Sequence, residues 1–126
     1  MKTAIESKKV PAPIGPYSQA VVANGMVYTS GQIASDPNTG EYTPADIQAE
    51  TELVMKNLEA LLEASGADFS SVVKTSIFLQ SMSDFAEVNA VYAKYMVAPF
   101  PARETVEVAQ LPKSAKVEIS MISIVK

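Results

Sequence analysis

The chain has ten basic residues, and Arg103 is the only arginine among them. It follows Phe100-Pro101-Ala102 and opens a β-prone run. A guanidinium is a planar fork that grips a carboxylate through two parallel hydrogen bonds, which the point charge of Lys does not do. With solubility served by lysines, a single arginine at a strand start points to a carboxylate ligand as readily as to a structural ion pair. Glu118 lies between Val117 and Ile119 in an apolar run. A carboxylate in such a place is costly unless it is paired or hydrogen-bonded. It is therefore either the partner of a buried cation or a site carboxylate with a tuned pKa.

Three further positions offer polar groups. Tyr17, in Gly15-Pro16-Tyr17-Ser18-Gln19, carries a polar tip on an apolar body and either caps a core edge or serves a site. Ser30-Gly31 ends a β-prone run, where glycine permits close backbone approach by a ligand or another chain, or simply turns the chain. Asn89 sits beside Val88 at the edge of a helical apolar face, a position that suits a solvated amide as well as a ligand contact.

What is missing narrows the chemistry. The sequence has no Cys, His or Trp. Zinc, haem and iron–sulfur centres lose their usual ligands, and Ser-His-Asp or Cys-His machinery is excluded within one chain. Proton transfer falls to carboxylates, Lys, Tyr, backbone groups or water. Neither a P-loop nor a GxGxxG fingerprint occurs, so nucleotide cofactors have no support in the sequence. The net charge is −4 and the only adjacent basic pair is Lys8-Lys9, which is not the basic stripe of a nucleic-acid binder. No run reaches membrane-spanning length. Met1 to Glu6 lacks the apolar core of a signal peptide, so the expected compartment is the cytoplasm.

These residues need a scaffold, and 126 residues that are 48% apolar suit a single domain over 1–126 with some apolar surface left for a subunit interface. Asn24-Gly25 between Ala20–Ala23 and Met26–Thr29 predicts a hairpin, and Asp36 to Gly40 a loop. A helix is expected over 44–65, capped by Thr43 with Pro44 first and Asp46 completing a capping box, and closed by Gly66. A strand over 72–79, a helix from Ser83 or Asp84 to the Pro99/Pro101 break, a strand over 103–109 and a last strand over 116–125 follow. In that last strand Val117, Ile119 and Met121 point one way, and Ile122 and Ile124 the other. Apolar residues on both faces call for cover on both, and two helices cover only one; sister subunits are the simplest second layer. The order β-β-β-α-β-α-β-β is that of an α+β domain, a mixed sheet with both helices on one face. Antiparallel pairing of the two C-terminal strands is expected to bring Arg103 and Glu118 into one sheet.

Taken together, the segments Pro101-Ala102-Arg103-Glu104-Thr105-Val106, Leu111-Pro112, Val117-Glu118-Ile119, Ile14 to Ala20, Ser30-Gly31-Gln32, Asn57-Leu58 and Phe85 to Asn89 with Tyr92 resemble the RidA/YjgF family of enamine/imine deaminases along essentially the whole chain. The resemblance implies a chorismate-mutase-like fold, a homotrimer with its sheets packed inward, clefts between subunits and no cofactor. It implies hydrolysis of small 2-imino acids, such as 2-iminopropanoate and 2-iminobutanoate, to 2-keto acids and ammonia. In this reading Glu118 and Tyr17 are catalytic. Arg103, Thr105, Ser30, Gly31 and Asn89 bind substrate. Many active members carry Ser-Cys after the arginine, where this chain has Glu104-Thr105. Strand alternation sends Glu104 away from the Arg103 face. The rival reading is a non-catalytic ligand-sensing or chaperone-like trimer using the same pocket. RNA cleavage, attributed to some relatives, fits poorly with an acidic chain that lacks His.

Overall fold

The computed structural model describes residues 1–126. Its elements are β1 (Thr3–Ile5), β2 (Ala20–Ala23), β3 (Met26–Thr29), α1 (Ile47–Ala64), β4 (Val72–Leu79), α2 (Phe85–Tyr95), β5 (Ala102–Glu107) and β6 (Val117–Ile124). The strands form one mixed sheet in the order β1-β2-β3-β6-β4-β5. The fold is α+β, as the order of periodicities predicts.

Local chemistry explains most of this order. Asn24 and Gly25 both take positive φ, 51° and 74°, which a two-residue turn matched to strand twist requires. They join β2 to β3 in register Ala23↔Met26. The α2 crossover makes β4 and β5 parallel neighbours, as a strand–helix–strand unit does. β6 then runs antiparallel to both β4 and β3.

Two expectations change. β5 and β6 do not pair: they flank β4 on opposite sides, because the crossover claims one edge of β4 for β5 and leaves the other to β6. Arg103 and Glu118 share a sheet, but through an intervening strand. Second, Thr43 does not cap α1. The N-cap is Asp46, whose Oδ1 accepts from the Ala49 N–H at 2.7 Å, so the helix starts at Ile47. Gly66 does take the left-handed conformation after the helix, at φ 79°.

α1 buries Val54, Leu58, Leu61 and Leu62 completely, in one core with Ile77 and Leu79 of β4 and Val117, Ile119 and Met121 of β6. The other face of the sheet has no helix. There Tyr28, Val106 and Ile124 stay 40–48% exposed, an apolar surface with nothing over it in a single chain.

Candidate functional site

Strand register assigns each candidate residue to a face. Arg103 pairs with Thr75 and Thr105 with Ile77. Thr75 and Ile77 are buried beneath the helices, so Arg103 and Thr105 lie on the helix face. Glu118 pairs with Phe78, and Phe78 with Val106, which places Glu118 on the uncovered face. Within one chain the two residues that carry the proposed chemistry point to opposite sides of the sheet.

The helix-face group is built on α2. Arg103 Nη1 donates to Asn89 Oδ1 at 2.7 Å. Its guanidinium carbon stands over the rings of Tyr92 and Phe85, at 5.1 and 5.8 Å from their centroids. None of the chain's three salt bridges involves Arg103. The Thr105 hydroxyl, on the same face, is the one buried side-chain polar atom without a hydrogen-bond partner.

Glu104 faces the other way, as alternation predicts. It pairs with Lys74 at 2.7 Å and accepts a hydrogen bond from Ser76. The Lys74 hydrogen bond, helped by Ser76, holds its pKa below the usual value. Its charge is thus spent away from Arg103.

The second group gathers where β3 ends beside β6. A bridge between Gln32 and Ile119 lays Gly31 against Glu118. A Cβ on residue 31 would stand 2.7 Å from the Glu118 carboxyl carbon, so only glycine leaves this carboxylate its place. Burial pushes the Glu118 pKa up. The Ser30 hydroxyl donates to the Ser18 carbonyl at 2.6 Å; towards a ligand it retains only acceptor capacity. The exposed Tyr17 hydroxyl accepts from the Ile14 N–H at 3.4 Å and keeps its own proton free.

Tyr17, Gly31 and Glu118 line a cavity of about 970 Å³ that also touches Gln19, Pro112 and Lys113. Its walls are held by residues to which sequence reasoning gave no role. Buried Gln19 accepts from Ser7 N at 2.6 Å and donates to the Pro11 carbonyl at 2.9 Å, fastening the N-terminal segment. Buried Glu50 accepts from the Tyr42 hydroxyl at 2.6 Å and from Lys116 N at 2.8 Å, tying the 36–43 loop to the root of β6. Lys113 Nζ donates to the Gly40 carbonyl at 2.6 Å. The signal for Gln19 and Glu50 was there, since a polar residue within an apolar stretch needs partners. The partners, 12 and 66 positions away, are not visible in the sequence. Tyr92 and Phe85 were legible as apolar helix positions and as part of the family resemblance, with no role attached to either. No group of three or more His, Cys, Asp or Glu residues is arranged to hold a metal ion.

The structure therefore presents two half-sites: a guanidinium with a free edge on one face, and a desolvated carboxylate with a tyrosine in a cavity on the other. The family model described as Endoribonuclease L-PSP matches residues 7–125. "Reactive Intermediate Deaminase A, chloroplastic" of Arabidopsis thaliana is 49% identical over 97% of this chain, which spans 65% of the length of that protein. The "2-iminobutanoate/2-iminopropanoate deaminase" of Mus musculus is 42% identical over 98% of this chain and 92% of its own. The crystal structure of E. coli TdcF with bound serine superposes with a TM-score of 0.90 at 38% identity, covering 97% of this chain and 98% of that one. The chain belongs to the RidA/YjgF family, whose model bears the description Endoribonuclease L-PSP.

Proposed function

We propose that this protein is a cofactor-independent deaminase that hydrolyses small 2-imino acids to 2-keto acids and ammonia. The observation that carries the reading is Arg103: an arginine held by Asn89 and two aromatic rings, with no acidic partner and one edge of its fork free. The names of the Arabidopsis and mouse relatives support it. So does the serine in the TdcF structure, a small amino acid with a carboxylate.

The site is completed between subunits. Arg103 and Glu118 face opposite sides of the sheet, so a substrate held by one reaches the other only if a second copy supplies it. The apolar face with Tyr28, Val106 and Ile124 offers the surface for that association, and the family resemblance supplies the number, a homotrimer.

In this assembly Arg103 binds the substrate carboxylate bidentately, with Asn89 and the Thr105 hydroxyl beside it. The C=N carbon then lies against the Glu118 half-site of the neighbouring copy. Glu118 takes a proton from water as the water oxygen bonds to that carbon, and the C=N π electrons move onto nitrogen. Tyr17 orients the nitrogen or the water. The imine nitrogen starts protonated, so the addition leaves a neutral amine. Glu118 returns its proton to that amine, the C–N bond breaks, ammonia departs, and the hydroxyl proton goes to Glu118 as the carbonyl forms. A carboxyl group whose pKa is raised by burial suits this double duty, because its ionised form is a stronger proton acceptor than an ordinary carboxylate. Positioning supplies most of the benefit.

The net charge of −4 and the lack of His favour a small anionic substrate over RNA. No helix is long and apolar enough to cross a membrane, and we place the protein in the cytoplasm. The test is a coupled assay in which a dehydratase generates 2-iminobutanoate and 2-oxobutanoate release is timed with and without the protein. Faster release is expected; an unchanged rate at any protein concentration overturns the reading.

A further inference from the structure

Phe85, Asn89 and Tyr92 are spaced i, i+4, i+7 on α2, which puts them on one stripe of the helix. All three touch the same guanidinium. Phe85 and Tyr92 approach it through their rings, whereas Asn89 accepts one edge N–H. Ring faces and hydrogen-bond edges do not compete, because a guanidinium meets aromatics over its plane and donates within it. The remaining edge is left for a carboxylate.

Tyr92 is tied at its far end. Its hydroxyl donates to Thr75 Oγ1 at 3.0 Å, Thr75 is fully buried, and Thr75 is the register partner of Arg103 across β4 and β5. The path from the Arg103 backbone to Thr75, through the Tyr92 hydroxyl and ring, and back to the Arg103 guanidinium closes on itself. Arg103 stands on an exposed edge strand, where an unsupported long side chain samples many rotamers. Burial also keeps the Tyr92 hydroxyl protonated, by raising its pKa.

We propose that Tyr92, anchored to Thr75 and acting with Phe85 and Asn89, forms a cradle that orients the Arg103 guanidinium for carboxylate capture. Tyr92 is a positioning residue that works through Arg103. This rests on the carboxylate-binding role of Arg103 in the proposed function.

Because the chain has one arginine, its Nε–Hε pair gives a single, unambiguous signal in a ¹⁵N–¹H spectrum. In the unsubstituted protein that signal is expected to be displaced by the aromatic rings from the position of free arginine, and to move when 2-oxobutanoate is added. Tyr92→Leu should return it toward the free position and raise the Kd for 2-oxobutanoate about three- to thirtyfold, the range of a cation–π contact. Tyr92→Phe keeps the ring but loses the anchor to Thr75, so it should recover only part of that loss. In an Arg103→Lys background Tyr92→Leu should add less than about twofold to the loss of kcat/KM, because the residue it acts through is gone. Equal cost in both backgrounds, or a signal at the free-arginine position in the unsubstituted protein, overturns the cradle. The second of these needs no variant to fold. An unsubstituted protein that shows the displaced signal and binds 2-oxobutanoate, yet does not deaminate, overturns the deaminase reading and leaves the cradle standing.

Discussion

The Glu118 carboxyl occupies the space that a side chain on residue 31 would need: a Cβ there would lie 2.7 Å from both its carbon and one of its oxygens. Gly31→Ala therefore cannot be accommodated without moving the carboxylate. Glu118 is the flexible partner, so the fold should survive while the base is displaced. A displacement of about 1 Å in a catalytic group costs on the order of a hundredfold in rate. We expect a kcat loss of about that size, with the thermal midpoint little changed. Near-normal kcat would remove Glu118 from the reaction.

Burial raises the Glu118 pKa above 4.5. For catalysis this moves the acidic limb of the kcat–pH profile above the ordinary carboxylate range, since the ionised form takes the proton from water. For stability the sign is opposite. A carboxyl with a raised native pKa gives its full contribution below the unfolded-state pKa and loses it as pH rises through the native value. Glu118→Gln should therefore be more stable relative to the unsubstituted protein at pH 7 than at pH 4, measured by urea unfolding at both. It should also slow turnover while leaving 2-oxobutanoate binding largely intact. An acidic limb that persists in Glu118→Gln would assign it to another group.

Arg103→Lys keeps the charge and loses the fork. A charge-assisted hydrogen bond is worth about 1.5–3 kcal/mol, so kcat/KM should fall about ten- to hundredfold. A sharper result comes from mixing. Neither Arg103→Lys nor Glu118→Gln alone retains a complete site. Refolded together, they should form some interfaces that unite an intact Arg103 with an intact Glu118. Random assembly of equal amounts makes about a quarter of the sites complete, and activity should recover toward that fraction. Recovery no greater than the sum of the two separate variants would show that the site is not shared between subunits.

Glu50 is buried and holds two hydrogen bonds, from the Tyr42 hydroxyl and from Lys116 N. Glu50→Ala leaves both donors without their acceptor. An unsatisfied buried donor costs about 1–3 kcal/mol, and these two are only part-buried, so a total loss of about 2–3 kcal/mol is expected from chemical denaturation. Glu50→Gln retains an acceptor oxygen and should lose much less. Similar losses in both would mean that the charge, and not the hydrogen bonds, holds the loop.

The sequence was most readable where a residue type answers a local demand. Asn24-Gly25 supplied the two positive φ values that the hairpin needs, and Gly66 closed α1. It misled where two residues suit one task. Thr43 and Asp46 are both cap types, and Asp46 takes the role, leaving Tyr42 in the preceding loop to reach Glu50. The pairing of β5 followed from the α2 crossover rather than from nearness along the chain. Site residues were legible by type, as with a lone arginine or an acid in an apolar strand. Their division between faces was not, because it depends on the register of both strands with β4. The α2 cradle carried a signal at 85, 89 and 92, but that spacing acquires meaning only once Arg103 lies beneath it.

The uncovered sheet face has a kinetic consequence. A reaction centre whose halves lie on opposite sides of one sheet exists only while copies are associated. Its specific activity should then depend on how much protein is present, falling on dilution faster than the protein does. A chain defective in one half would remove only the one site that uses that half, because its intact half still completes a neighbour's site, so a single faulty allele would cost no more than its own share of the product.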